Sequence, residues 1–276
     1  MVDALDGSLG LNKITATEFA QLWNTFDANQ SGYIEGNELD SFFYDLAKNI
    51  LKKEPTEDEH KKIKTLFMSA YDKAKDGRIS MNELAKMLLS QDEEFLLFFR
   101  RKIPLNSSVT FMQIWRSYDK NRSGFLSKDE LRNFVSDYAI AAGCESITSA
   151  KVDEYTASMM SLFDLNSDGL LTLQDMARLV NVSQNFLLQF RIQAGSKEQR
   201  KQDFQKIFQH YDQSNSGALE GVEVDGFVKD MMETIRGPLT ASELDELKVS
   251  VLKHCDVNGD GKIQKNELAV CLGVQL

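Results

Sequence analysis

Residues 256–267 read DVNGDGKIQKNE, and this stretch decides the fold. It opens with Asp256 and carries oxygen-bearing side chains at its third and fifth positions. It has Gly261 at its sixth position and closes with Glu267 at its twelfth. The same frame, with Asp first, Gly sixth and a carboxylate twelfth, begins at Asp27, Asp72, Asp119, Asp164 and Asp212. Six copies in register exclude a chance acidic turn beside a helix.

The frame matches the coordination chemistry of Ca²⁺. This hard cation takes six to eight oxygen ligands at about 2.3–2.6 Å, and the EF-hand loop supplies them from positions 1, 3, 5, 7, 9 and 12. Glycine at position 6 allows the sharp turn, because it adopts positive φ without steric cost. The predicted ligands, loop by loop and with position 7 acting through its carbonyl, are Asp27, Asn29, Ser31, Tyr33 and Glu38; Asp119, Asn121, Ser123, Phe125 and Glu130; Asp164, Asn166, Asp168, Leu170 and Asp175; Asp212, Ser214, Ser216, Ala218 and Glu223; and Asp256, Asn258, Asp260, Lys262 and Glu267.

Two of the six loops depart from this ligand set. In the second, Ala74 has no side-chain oxygen for position 3, and Lys73 and Lys75 add positive charge beside it. The fourth closes with Asp175, which is one methylene shorter than Glu and suits the smaller, six-coordinate Mg²⁺ better. We therefore predict four to five bound Ca²⁺, a degraded second hand and a fourth hand that accepts Mg²⁺.

The loops recur in pairs. Loops two apart begin 92 or 93 residues from one another, at 27, 119 and 212 and at 72, 164 and 256. A single hand cannot bury its own apolar face, so pairing is expected. Position 8 is apolar in every loop and suits a short strand where two loops meet: Ile34, Ile79, Leu126, Leu171, Leu219 and Ile263. The sequence predicts an all-α fold of six EF-hands in three paired lobes, at 10–100, 101–192 and 193–276, with a short two-stranded β ladder joining each pair.

Local signals support the helices around the loops. Capping-box pairs precede four of the incoming helices: Thr15 with Glu18, Thr56 with Glu59, Ser196 with Gln199, and Thr240 with Glu243. Two similar apolar segments, 95–100 and 186–191, follow the second and fourth hands. We interpret them as helices that pack one lobe against the next, with an exposed partner-binding anchor as the alternative.

Composition excludes several function classes. A net charge of −10 argues against binding nucleic acid or anionic lipid. No apolar run is long enough to insert into a membrane. Three cysteines, an odd and sparse count, fit a reducing compartment, so we expect a cytoplasmic protein.

We predict no enzymatic activity and no catalytic residue. His254, Cys255 and Asp256 use the residue types of a nucleophilic triad, but adjacent helix residues point in different directions. Cys255 also takes the helix position that aromatic residues hold in the other hands, which favours a core role. Cys144 lies in a loop-like stretch, where it is either an oxidisable thiol or an inert one.

Over the entire chain, the six hands and several shorter stretches resemble the calbindin–calretinin–secretagogin family, with most similarity to its secretagogin members. The stretches are 95–101, 111–116, 217–221, 228–233 and 254–258. The resemblance implies a cytosolic Ca²⁺ sensor of neuroendocrine and neuronal cells. It also implies partners in regulated exocytosis, such as SNAREs or vesicle-associated factors, and association with secretory vesicles through those partners.

The residues alone leave two functional classes open. A sensor exposes an apolar groove on binding Ca²⁺ and captures an amphipathic helix, whereas a buffer binds ions and barely moves. If the protein is a sensor, helices that leave the third and fifth loops carry the candidate partner-binding side chains: Phe134, Val135, Phe227, Val228, Met231 and Met232.

Overall fold

A computed structural model describes residues 13–89, 107–141, 147–180, 182, 185–190 and 196–275. Within these ranges the regular secondary structure is helical apart from short strands, as predicted. The helices are α1 (Ala16–Phe26), α2 (Gly36–Leu51), α3 (Glu57–Tyr71), α4 (Met81–Leu88), α5 (Ser108–Tyr118), α6 (Lys128–Ala141), α7 (Ser149–Phe163), α8 (Leu173–Val180), α9 (Lys197–Tyr211), α10 (Val222–Arg236), α11 (Ala241–Cys255) and α12 (Lys265–Cys271). One helix enters and one leaves each predicted loop.

Short antiparallel ladders join consecutive loops in pairs. The strands are β1 (Tyr33–Ile34), β2 (Ile79–Ser80), β3 (Leu126–Ser127), β4 (Leu170–Leu171), β5 (Ala218–Leu219) and β6 (Ile263–Gln264). The position-8 residues face each other in register, as Ile34 with Ile79, Leu126 with Leu171, and Leu219 with Ile263. All six of these side chains are buried. The predicted pairing of hands is confirmed.

Three of the four predicted capping boxes form in full, at Thr15, Thr56 and Thr240. The fourth forms only by half. Ser196 Oγ accepts the backbone N–H of Gln199 at 3.2 Å, but the Gln199 side chain donates to Asp203 at 2.8 Å. A neighbouring carboxylate one helical turn away competes for the amide that would have closed the box.

The chain divides into two compact units. The first comprises residues 1–102 and 134–169. In it, α1 of the first hand packs on α7 of the fourth. Asn24 Nδ2 donates to the Ser161 carbonyl at 2.7 Å, and the Thr17 and Ser158 hydroxyls lie 3.4 Å apart. The incoming helices of two different EF-hand pairs therefore share one core.

The second unit comprises residues 103–133 and 170–276. Its most extensive helix contact joins α5, which enters the third loop, to α10, which leaves the fifth. A 3₁₀ turn, Phe186–Gln189, also packs on α10. The Phe186 ring stacks on His210 at a centroid distance of 3.6 Å, and Leu187 is buried. This part of segment 186–191 thus packs as expected, although as a single 3₁₀ turn and with Leu188 exposed.

Some predictions fall on residues outside the described ranges. The boundaries of the three lobes, the segment 95–100 and Cys144 are among them. The division into three lobes at 10–100, 101–192 and 193–276 therefore stays a prediction. Among the described helices, none is both long and apolar enough to cross a bilayer.

Candidate calcium sites

Each loop folds around the carboxylate at its first position. The glycine at position 6 has φ between +78° and +83°, a region that other residues rarely adopt. Its N–H points inward and donates to the position-1 carboxylate. The distances are 3.1 Å for Gly32 to Asp27, 3.2 Å for Gly124 to Asp119, 2.8 Å for Gly169 to Asp164, 3.0 Å for Gly217 to Asp212 and 2.8 Å for Gly261 to Asp256.

The carboxylate at position 12 closes the loop from the opposite side. One oxygen accepts the backbone N–H of position 9, as Glu267 does from Gln264 at 2.8 Å. The other reaches across to the start of the loop. It accepts from Asn29 in the first loop at 3.1 Å, from Ser214 in the fifth at 2.8 Å and from Val257 in the sixth at 3.0 Å. Both ends of these loops are therefore held together by the residue predicted to be the bidentate ligand.

Positions 5 and 7 also face each other. Ser31 Oγ donates to the Tyr33 carbonyl at 3.1 Å, and Ser216 Oγ donates to the Ala218 carbonyl at 2.9 Å. The third loop repeats the contact, with 2.9 Å between Ser123 Oγ and the Phe125 carbonyl. The side-chain and main-chain oxygens predicted as ligands are thus neighbours in the fold.

The chemistry of these groups fits a hard cation. In the first loop Asp27 is only 7% exposed, and its Oδ1 is buried without a hydrogen-bond partner among the described residues. Burial raises the pKa of Asp27, and repulsion from the Glu38 carboxylate adds to the increase. A buried carboxylate beside a second negative charge is costly unless a cation compensates both. The predicted donors Asn29 and Ser31 complete an all-oxygen set.

Within the described residues, no three His, Cys, Asp or Glu side chains gather into a metal-binding cluster. The predicted loop ligands combine carboxylates with amide, hydroxyl and carbonyl oxygens. The first loop, for example, offers carboxylates from Asp27, Glu35 and Glu38, an amide oxygen from Asn29 and a hydroxyl from Ser31.

The second loop keeps the EF-hand shape but lacks the side-chain ligand at position 3. Glu83 Oε1 accepts from the backbone N–H groups of Lys73 at 2.8 Å and Ala74 at 3.3 Å. The position-5 carboxylate, Asp76, is held by Arg78 at 2.9 Å, and this ion pair lowers its pKa. The loop therefore has two defects. Ala74 supplies no oxygen, and the guanidinium of Arg78 is paired with Asp76, one of the remaining oxygen donors.

Arg78 also reaches the first loop. Its guanidinium lies 3.8 Å from the centroid of the Tyr33 ring and 3.6 Å from a carboxylate oxygen of Glu35, at position 9. Lys262 and Glu220 repeat this ion pair in the last pair of hands. In both pairs, a cation at position 7 of the second loop of the pair contacts the carboxylate at position 9 of the first loop. The residue types are visible in the sequence, but this contact was not predicted from it.

The fourth loop is divided between the two compact units at residues 169 and 170. In its first half, Asp164 accepts the N–H groups of Asp168 at 3.2 Å and Gly169 at 2.8 Å. In its second half, Asp175 Oδ2 accepts from Thr172, at 3.0 Å from the backbone nitrogen and 2.6 Å from the hydroxyl. The other oxygen, Oδ1, lies 3.5 Å from the guanidinium of Arg178. The short twelfth side chain thus faces a cation on its own helix.

One backbone geometry shared by all six loops was not predicted from the sequence. Position 4 has positive φ, between +54° and +71°, in every loop. The residues are Gln30, Lys75, Arg122, Ser167, Asn215 and Gly259. Gly259 and Asn215 are residue types that favour this region, but Gln30, Lys75, Arg122 and Ser167 are not, which is why the pattern of residue types did not reveal it.

The predicted partner-binding side chains are mostly buried. Phe134, Val135 and Val228 are 0% exposed and Phe227 is 2% exposed. Met231 and Met232 are half-buried. Phe227 and Met231 help to line an apolar cavity of about 320 Å³ together with Val251 of α11, Leu268 of α12 and Leu272, which directly follows α12.

The adjacent residues His254 and Cys255 do not form a nucleophilic pair. His254 Nδ1 lies 2.7 Å from the Ser250 carbonyl. Cys255 is buried, and burial together with its neighbour Cys271 raises the pKa of its thiol to about 12. A catalytic thiol requires a lowered pKa, so this site has the opposite electrostatics.

Comparison with known proteins agrees with the loop geometry. A family model described as an EF-hand domain pair matches residues 16–89 and 109–180, and one described as an EF hand matches residues 251–272. Along 263 residues the chain is 52% identical to secretagogin of Xenopus laevis, which covers 95% of this chain and 97% of the relative. It belongs to the secretagogin family.

Secretagogin of Homo sapiens is 52% identical over 271 residues, with 96% of each chain covered. Calbindin-32 of Drosophila melanogaster is 38% identical over 269 residues, which cover 95% of this chain and 86% of the relative. The suggested resemblance is confirmed. This member of the secretagogin family is a calcium-binding EF-hand protein and not an enzyme.

Proposed function

We propose that the chain is a cytoplasmic Ca²⁺ sensor that captures an amphipathic helix of a partner protein when its hands are loaded. Proteins of regulated exocytosis, such as SNAREs or vesicle-associated factors, are the class of partner, and they bring the chain to secretory vesicles. A buffer that binds ions with little conformational change is the competing function. The observation that favours the sensor is the apolar cavity beside the sixth hand.

The walls of this cavity come from helices that enter or leave two loops. Phe227 and Met231 lie on α10, which begins at the fifth loop, and Leu268 follows Glu267 directly on α12. A shift of the position-12 carboxylates Glu223 and Glu267 therefore moves two of the walls. Bound Ca²⁺ supplies the positive charge on which both carboxylate oxygens of each residue converge.

The cavity suits an apolar stripe on a helix. Its volume of about 320 Å³ accommodates a few aliphatic or aromatic side chains rather than a large cofactor. The adaptable Met231 side chain forms part of the wall, and flexible thioethers suit varied apolar partners. The net charge of −10 favours a partner helix whose polar face is basic.

For the ions, we propose four to five Ca²⁺. The first, third, fifth and sixth hands bind with the oxygen sets predicted above. The fourth is Mg²⁺-tolerant, because Asp175 is short and already faces Arg178. The second binds most weakly, because Ala74 offers no side-chain oxygen and Asp76 is held in an ion pair with Arg78.

The test compares binding of an apolar dye and of a basic amphipathic helical peptide with and without Ca²⁺. Both are expected to bind more tightly with Ca²⁺. Replacing Met231→Ser together with Met232→Ser is expected to weaken peptide binding at least tenfold, from lost apolar burial, while calorimetry shows unchanged Ca²⁺ binding.

The matched control is Val270→Ser. It makes an apolar side chain polar on α12, but Val270 is 76% exposed and is not part of the cavity wall. Peptide binding is expected to stay within twofold of the parent. If Ca²⁺ leaves the dye and the peptide unaffected although the hands are loaded, the chain is a buffer.

A further inference from the structure

The third and fifth hands, which belong to different EF-hand pairs, are joined by the most extensive helix contact of the second unit. Gly226 of α10 faces the first turn of α5, and a Cβ atom placed on it would lie 2.7 Å from the backbone nitrogen of Val109. No side chain other than hydrogen fits there. Gly226 is three residues after Glu223, the twelfth position of the fifth loop, and α5 leads into the third loop at Asp119. The two helices therefore meet almost backbone to backbone.

Buried polar contacts hold this junction. Ser108 Oγ donates to Asp230 at 2.5 Å, and the Tyr211 hydroxyl donates to the other carboxylate oxygen of Asp230 at 2.6 Å. Asp230 is 1% exposed. Since Tyr211 directly precedes Asp212, this one carboxylate connects both helices of the fifth hand to the helix that enters the third.

An ion pair lies nearer to the two loops. Arg116 Nε donates to Asp225 at 3.1 Å, and the same guanidinium pairs with Asp245. Asp225 also pairs with Lys248 at 2.7 Å and is 2% exposed. Arg116 is one helical turn before Asp119, and Asp225 is two residues after Glu223. Arg116 therefore lies close in the chain to the first predicted ligand of the third loop, and Asp225 lies close to the last predicted ligand of the fifth.

The loops themselves touch the opposite hand pair. Gln213, at position 2 of the fifth loop, donates to Ser107 Oγ at 2.7 Å, and Ser107 caps α5. Gly124, in the third loop, lies beside Ala241 at the start of α11, 3.5 Å from its Cβ when a Cβ is placed on the glycine. Contact of the third hand with the last pair of hands therefore extends from the helices to both loops, through Gln213 of the fifth hand and through Ala241 at the start of the sixth.

We propose that the third and fifth hands respond to Ca²⁺ as one coupled unit, with Arg116 and Asp225 as the positioning residues that connect them. Movement of Glu223 carries Asp225 with it, because both lie in the first turn of α10. Through Arg116, this movement shifts α5 and with it Asp119. By linkage the coupling is reciprocal, so loading of the third hand favours loading of the fifth. The inference rests on the proposed calcium sites but does not require the sensor function.

Trp115 provides the reporter. It is 0% exposed, adjacent to Arg116, and one of two tryptophans in the chain. Trp23→Phe leaves it as the sole tryptophan, and Glu130→Gln with Asp175→Asn disables the third and fourth hands. In this background, Trp115 fluorescence is expected to change as Ca²⁺ fills the fifth hand. Glu223→Gln is expected to abolish the change.

Asp225→Asn and Arg116→Gln, each in the same background, are expected to reduce the fluorescence change by at least half while calorimetry shows that the fifth hand still binds. The matched control is Glu246→Gln, which removes one carboxylate charge from an exposed position on α11. It is expected to keep the full signal. With the third and fourth hands intact, Glu223→Gln is expected to lower the affinity of the third hand about fivefold or more.

Circular dichroism separates uncoupling from unfolding, because a destabilised variant loses helix signal and ion binding together. If Trp115 does not respond while calorimetry shows the fifth hand filling, the coupling is wrong. It is equally wrong if both linking variants keep the full signal. If calorimetry shows no ion in the fifth hand, the failure lies with the proposed calcium site and not with the link.

Discussion

The second and sixth loops both close with glutamate at position 12, as Glu83 and Glu267, so the same substitution can be compared in the two loops. In the sixth loop, one Glu267 oxygen reaches the N–H of Val257 and the other that of Gln264, so the carboxylate spans the loop. In the second, Glu83 makes the same kind of contacts with Lys73 and Ser80. The two loops have similar backbones and differ in their oxygen donors.

Glutamine at position 12 removes one unit of negative charge from the ion's ligand set. A carboxylate about 2.4 Å from a divalent ion contributes about 3 kcal/mol even with the full screening of water, or a factor of about 100 in Kd. Glu267→Gln is therefore expected to remove one strong site. Glu83→Gln is expected to leave the number of strong sites unchanged, because Ala74 and the ion-paired Asp76 already weaken that loop.

Isothermal titration calorimetry in Mg²⁺-free buffer measures both variants against the parent chain, with circular dichroism as the check on folding. The reasoning is refuted if Glu83→Gln loses a strong site while its helix content is intact. It is also refuted if Glu267→Gln keeps every site of the parent at unchanged affinity.

Three further outcomes are expected. Asp175→Glu should raise Ca²⁺ affinity in the fourth hand and its selectivity over Mg²⁺, measured by competition titration, and an unchanged ratio would count against the short-arm argument. With an alkylating reagent at pH 8, peptide mapping should show Cys271 modified well before Cys255, because Cys255 is buried and a pKa raised to about 12 keeps its thiol protonated at that pH; equal rates would contradict this. Tyr211→Phe should lower the free energy of unfolding by about 1–3 kcal/mol in urea titrations, because the buried Asp230 carboxylate loses a donor at 2.6 Å; no change would mean that water replaces it.

The sequence was sufficient to predict the loops, the helices around them and the register of their pairing. These features depend on local spacing, since the sixth and eighth positions of each loop set the turn and the ladder. Ile34 and Ile79 pair as predicted because both occupy position 8 of equivalent loops. The ligand assignments follow from the same spacing and stay predictions for each individual residue.

The remaining features depend on contacts between distant parts of the chain. Arg116 and Asp225 are separated by 109 residues, and neither belongs to a motif. Their pairing depends on how α5 meets α10, which no periodicity encodes. Gly226 gave a weak signal, as a glycine inside a helix, but only the approach of Val109 explains it. Arg78 was visible in the sequence, yet its contact with Glu35 required the geometry of the paired loops.

The closeness of α10 to α5 limits how this chain can be taken apart. All eight residues from Glu223 to Asp230 are buried, so over these two turns no face of α10 is exposed to solvent. A fragment that starts near residue 196 would expose the surface that Ser108 and Val109 cover, and would tend to aggregate or bind itself. We therefore expect that the last pair of hands cannot be transferred to another protein on its own. An exchange of this region between relatives should carry residues 107–118 together with 196–275.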